Sequence, residues 1–185
     1  MQRRSFLRNA AATLPAAALP AFALENAAIA SPDTPREGIV VPNGHDRLDQ
    51  NHSLGFSRIL FKILPRETAN NLFLIEHENL VKGGPPLHMH YHQDEWFYVM
   101  AGQVDFQVGD KRFRLGPGDS AFGPRGLPHT FSHVGSTPGH MLIAFTPAGK
   151  MEEFFRAVAI PNGPGFTAEI LARYDMKLVG PSPFA

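Results

Sequence analysis

Gly83-Gly-Pro-Pro-Leu-His-Met-His-Tyr-His-Gln-Asp-Glu95 organises this chain. His88 and His90 stand two apart, so on an extended strand both imidazoles project from one face. After Tyr91–Asp94, Glu95 opens the apolar run Trp96, Phe97, Tyr98, Val99, Met100, which ends at Gly102. Read as the turn of a hairpin, Tyr91–Asp94 would return Glu95 to the side of the two histidines. A third imidazole lies downstream at His129, framed by Pro124, Gly126 and Pro128. Three neutral imidazoles and one carboxylate suit a divalent transition metal, with room left for water or substrate. A single histidine beside an apolar strand is more often a partnered core or surface residue. The same-face pair, the nearby acid and the distant proline-framed histidine carry the metal reading only as a set.

The chain has 185 residues, enough for one domain with a full core. Its 17 basic and 17 acidic residues balance, with no basic block, which argues against nucleic acid or an anionic membrane surface as partner. Fifteen Phe against three Tyr and one Trp point to a dry, aromatic interior. There is no Cys, so disulfides and thiolate ligands are excluded, and a zinc site of the usual Cys type with them.

Residues 1–30 set the expected compartment. Arg3-Arg4-Ser5-Phe6-Leu7-Arg8 resembles the twin-arginine export motif, and an Ala/Leu/Pro-rich stretch follows to Leu24. Ala21-Phe22-Ala23 and Ala28-Ile29-Ala30 are both small-x-small cleavage candidates. Pro15, Pro20, Asn26 and many alanines make this stretch too weakly apolar for a membrane anchor, which needs roughly 20 firmly apolar residues. A cleaved signal and a periplasmic or secreted protein are expected. Cleavage after Ala30 would remove Arg3, Arg4, Arg8 and Glu25, leaving 14 basic and 16 acidic residues.

Residues 31–38 read as a polar linker, Ile39–Val41 as a short strand and Pro42–Ser53 as a loop. Strands are expected at Phe56–Leu64, Asn70–Glu78, Glu95–Ala101, Gln103–Val108, Lys111–Leu115, Ser120–Phe122, His129–Val134 and Met141–Thr146. Short strands punctuated by Gly, Pro and Asp turns indicate an all-β barrel or sandwich over residues 31–149. Residues 150–185 read as a helical extension. Met151, Phe154, Phe155 and Val158 follow helical spacing, as do Ile170, Leu171 and Tyr174, with Thr167 as N-cap. These stripes are expected to cover one open side of the barrel.

The segment 83–102 resembles the first cupin motif, Gly-x5-His-x-His-x3/4-Glu-x6-Gly, at His88, His90, Glu95 and Gly102. The leading glycine is one place off, because Lys82 holds the expected position and Gly83 sits beside it. The segment 118–133 resembles the second motif, Gly-x5-Pro-x-Gly-x2-His-x3-Asn, at Gly118, Pro124, Gly126 and His129, with His133 where the motif has Asn. The resemblance implies a double-stranded β-helix, the cupin jelly-roll barrel. It also implies one metal held by His88, His90, Glu95 and His129. The wording Pro-Pro-x-His-x-His-x4-Glu is similar to single-domain quercetinase-like proteins. That likeness implies a dioxygenase acting on a flavonol or a similar chelating enol, with O2 as cosubstrate and Glu95 as ligand or general base. Cupins of this kind are often homodimers.

Strand parity puts Glu95, Phe97 and Val99 on one face, and His129, Phe131 and His133 on another. With the ligand face inward, Phe97, Val99, Phe131 and His133 are expected to wall the substrate pocket. Trp96 and Tyr98 then face outward, against a dimer partner or the C-terminal helices. His92 falls in the turn, at the rim. Mn or Fe is the preferred metal, ahead of Ni, Co, Cu and Zn: a protein exported already folded takes its ion in the cytoplasm, where availability overrides bare affinity. Two other functions stay open at this point, a non-oxidative isomerase or lyase of sugars or keto acids and a non-catalytic periplasmic binding protein.

Overall fold

A computed structural model describes residues 37–184. The export motif, both cleavage candidates and residues 31–36 of the linker lie outside the described residues. Eleven strands are present in them: β1 (His52–Ser53), β2 (Arg58–Ile63), β3 (Phe73–Leu80), β4 (Leu87–His90), β5 (Asp94–Ala101), β6 (Gln103–Val108), β7 (Lys111–Leu115), β8 (Ser120–Gly123), β9 (His129–Val134), β10 (Gly139–Thr146) and β11 (Met176–Gly180). Helices α1 (Met151–Val158) and α2 (Ala168–Arg173) precede the last strand.

The strands form two antiparallel sheets, one of six in the order β1-β2-β3-β10-β5-β8 and one of five in the order β11-β4-β9-β6-β7. The period of two in the sequence makes this possible. On β5, Glu95, Phe97 and Val99 are buried while Trp96 and Met100 are exposed. Register across the six-stranded sheet lines up inward rows, such as Phe61, Ile75, Ile143, Phe97 and Ala121. The sheets meet through aromatic rings: Phe97 packs on Phe106 at 5.0 Å and on Phe131 at 5.9 Å between centroids. This is the all-β jelly roll that the sequence indicates.

Three local expectations are corrected. Ile39–Val41 is not a strand; no backbone among the described residues pairs with it, and Val40 is 88% exposed. The loop before β2 contains the short β1, whose His52 and Ser53 pair with Ile59 and Arg58. Residues 150–185 hold the two helices but end in β11, which pairs with β4 and opposes Met176 to His90 and Leu178 to His88. Only five residues long and lacking sharp alternation, β11 gives little signal without its partner strand.

The helices form for the reasons their sequence shows. Met151, Phe154, Phe155 and Val158 make one buried face of α1. The Thr167 hydroxyl accepts the Ile170 N–H and caps α2.

Candidate metal centre

His88, His90, Glu95 and His129 converge, each offering one ligand atom, and these atoms lie within 4.8 Å of one another. All four side chains are buried. The route differs from the hairpin expected from sequence. The two histidines of β4 sit in the five-stranded sheet and Glu95 in the six-stranded one, so the Tyr91–Gln93 corner carries the chain across the barrel. His129 reaches the same point because it opposes His88 in the β4–β9 pairing. Glu95 therefore meets the histidines across the interior rather than along one hairpin.

Several devices hold this arrangement. Gly84 passes so close to β9 that an added Cβ would lie 1.9 Å from the Phe131 carbonyl oxygen, and only glycine fits. The Thr130 hydroxyl donates to the Pro85 carbonyl at 2.7 Å and ties the same segment to β9. Arg125 forks onto Asp94 at 3.0 and 2.7 Å, and its backbone N–H donates to the same carboxylate at 2.9 Å. That clamp joins the Pro124–Gly126 loop to the residue before Glu95.

The hydrogen bonds set the imidazole tautomers. His88 Nδ1 donates to the Pro86 carbonyl at 2.9 Å and His129 Nδ1 to the Leu127 carbonyl at 3.0 Å. Each ring so bonded turns its Nε2 to the centre, the usual arrangement behind a metal-ligating histidine. Glu95 Oε2 stands 2.8 Å from His129 Nε2 and 3.2 Å from His90 Nε2. Neither His90 nitrogen has a well-formed hydrogen bond, although the ring is 1% exposed. Buried polar atoms left without a partner are rare, and a cation among these four groups would resolve it. The donor set fits a single divalent ion.

The charges agree with that geometry. Burial alone would raise the Glu95 pKa, but the hydrogen bond from His129 and the close imidazoles of His129 and His90 hold it well below the usual carboxylate range. Burial would lower His129, yet the Glu95 carboxylate outweighs it and raises the pKa. Burial, with the like charges of His129 and His90, pushes His88 down to about 3. A carboxylate that stays ionised in the interior is what a cation requires.

Three of the four, His88, His90 and Glu95, line a small, partly open cavity of about 20 Å³. Six phenylalanines, at 56, 131, 145, 154, 155 and 166, furnish most of the wall, with Met151, Met176, Pro85 and His77. Among the described residues, no Lys or Arg lines it. Of the four residues expected in the pocket wall, only Phe131 is there; the other three are corrected. Phe97 sits behind the ligands, its ring 6.1 Å from His129 and 5.9 Å from Phe131. Val99 lies two positions further along β5, opposite Met141, in the closed part of the core. His133 packs against Gly102 and Gly139, where an added Cβ would come within 3.0 and 2.7 Å of its ring. Parity correctly assigns these side chains to the interior, but it does not say how deep along the barrel the cavity reaches. His92 is exposed in the corner after β4. Sequence reading missed His77 and the ring wall contributed by α1. The helical stripe at Met151, Phe154 and Phe155 is visible in the sequence, but the face it covers is not.

Residues 77–145 match the family model described as the cupin domain. An uncharacterized protein of Methanocaldococcus jannaschii is 27% identical over 67 residues, 36% of this chain and 54% of that one. The match thus spans about half the length of that relative. Among solved structures, KdgF from Halomonas sp. is similar with a TM-score of 0.51 at 16% identity, covering 60% of this chain and 94% of that one. An RmlC-like cupin from Shewanella frigidimarina gives 0.51 at 18% identity over 63% and 98%. A protein of Thermotoga maritima described as a predicted oxalate decarboxylase gives 0.52 at 18% identity over 58% and 98%. At these identities the likeness is one of fold. The barrel has the cupin fold, and its central part, residues 77–145, is similar to the cupin domain.

Proposed function

We propose that this protein is a metal-dependent cupin dioxygenase acting on a small chelating enol or phenol, as its quercetinase-like wording suggests. One observation carries the reading: a buried cluster of three histidines and one glutamate faces a cavity of aromatic rings with no cationic side chain among its lining residues. A dicarboxylate or sugar phosphate would enter that wall without a guanidinium or ammonium to replace its water, which is costly. A planar, weakly charged ligand with two adjacent oxygens meets no such cost. At about 20 Å³ the cavity holds roughly one water as it stands, so a ring-sized ligand requires the aromatic side chains of its wall to part. A flavonol would extend past Phe56 and Phe166 into the adjoining groove of about 550 Å³, which those two residues also line.

A divalent ion held by His88, His90, Glu95 and His129 supplies Lewis-acid chemistry, lowering the pKa of a bound hydroxyl. The protein's part is then positional and protonic. Glu95, ionised at neutral pH, would hold the ion or, unbound from it, accept the substrate hydroxyl proton at a carboxylate oxygen. Phe131, Phe145, Phe154 and Phe155 orient the ring and exclude water. Mn or Fe remains the preferred ion, and metal analysis of native protein containing only Zn or Cu would overturn that preference.

The test is anaerobic titration of Mn-, Fe-, Co- and Ni-loaded protein with flavonols, catechols and enediols, followed by admission of oxygen. Oxygen uptake with loss of the bound compound is expected. Binding without any uptake would leave a binding protein, and anaerobic conversion of a sugar or keto acid would leave an isomerase or lyase.

Export by the twin-arginine route belongs to the same proposal. A tagged full-length chain should appear in the periplasm with its N-terminus after Ala23 or Ala30. Arg3→Lys with Arg4→Lys should hold it in the cytoplasm, and unchanged export of that variant would refute the route.

A further inference from the structure

We infer that His77, set by Ser57, presents a hydrogen-bond donor to an oxygen of the ligand bound in the aromatic cavity, and so helps decide which ligands the site accepts. The inference rests on the proposed chelating ligand, but not on any reaction with oxygen. His77 lies on β3 and lines the same cavity as His88, His90 and Glu95. It is 2% exposed and falls outside both motifs.

The tautomer follows from counting protons. Ser57 is buried, and its hydroxyl makes one hydrogen bond among the described residues, to His77 Nδ1 at 2.9 Å. A buried hydroxyl has to place its hydrogen somewhere, so Ser57 donates and Nδ1 accepts. A neutral ring with an accepting Nδ1 carries its proton on Nε2. Burial keeps the ring neutral, with its pKa lowered to about 3 despite the opposing charge of Glu95. Nε2–H is thus a donor, buried and without a partner among the described residues. Phe131 meets the ring edge-on at 5.8 Å and Phe56 lies near-parallel at 6.3 Å, so the ring is wedged in place. A buried N–H without a partner is costly; the other polar side chains of the wall are His88, His90 and Glu95 of the metal cluster, so an oxygen of a ligand in the cavity is the group that satisfies it. Sites built around a buried donor discriminate strongly against ligands that cannot accept from it.

The experiment uses metal-loaded protein without oxygen and 3-hydroxy-4-pyranone as chelating probe, with binding followed by absorbance and metal per chain measured alongside. His77→Phe keeps the ring's bulk but removes the donor; probe affinity should fall tenfold or more while metal content is unchanged. His77→Gln keeps an N–H and should recover part of the loss. Ser57→Ala leaves the ring but frees its tautomer and should give an intermediate loss. Affinity of His77→Phe within twofold of the native protein would overturn the inference, as would failure of the native loaded protein to bind the probe. Where His77→Phe loses metal or does not fold, Ser57→Ala decides, and affinity within twofold overturns it. Binding that depends on His77 without oxygen uptake would remove the dioxygenase reading and leave this one intact.

Discussion

Glu95 concentrates the energetics of the site in one side chain. It is a buried carboxylate whose charge is tolerated because three imidazoles surround it, a set that fits a cation as well. His88→Ala, His90→Ala and His129→Ala should each lower bound metal by at least tenfold in affinity, measured by competition with a chromogenic chelator. Glu95→Gln should weaken binding similarly. A variant with unchanged metal affinity would show that the residue is not a ligand. Acid sensitivity has a defined sign. His77 and His88 have folded pKa values of about 3 against an ordinary 6.5, so between these values the unfolded chain holds more protons. Their stability is complete above pH 6.5 and falls as the pH drops towards 3, by at most about 1.4 kcal/mol per pH unit for each ring. Glu95, held low, adds loss in the same direction below its ordinary 4.5. His129 works oppositely, its contribution being present below 6.5 and lost as the pH rises past it. Urea unfolding of metal-free protein should therefore show a midpoint that declines steadily from pH 6.5 to 4, and a flat profile there would contradict the assignment.

At the level of elements, β11 matters more than its length suggests. It opposes Met176 and Leu178 to His90 and His88, so it fixes the strand that carries two of the four ligands. Ending the chain at Tyr174 would leave β4 as an unprotected edge beside the site. The expected result is weaker metal binding as well as a lower melting temperature; loss of stability with metal affinity intact would show that β4 holds its geometry alone.

For the whole molecule, the outer face of β5 and β8 is the surface that stands out. Trp96 stacks on Tyr98 at 5.7 Å and pairs in register with Phe122, which is 55% exposed, while Met100 is 43% exposed. A homodimer through this face would cover the aromatic strip and the β8 edge together. Light scattering should give a dimer for the native protein and a monomer for Phe122→Asp. A native monomer at micromolar concentration would remove the dimer.

The local pattern determined a good deal by itself. Alternation gave most of the strands, and the paired motifs marked the four residues that converge, because a histidine two residues from another must share its face on any strand. The helical spacing of Met151, Phe154 and Phe155 was equally legible. Other features depend on partners distant in the chain. Parity says that Val99 and His133 point inward but not that Met141, Gly102 and Gly139 enclose them away from the cavity. Nothing beside His77 in the sequence marks it, since its meaning lies in Ser57, twenty residues earlier, and in Glu95 across the barrel. Side-chain direction is a property of a short segment, whereas depth, enclosure and the partner of a buried proton exist only once the two sheets have closed on each other.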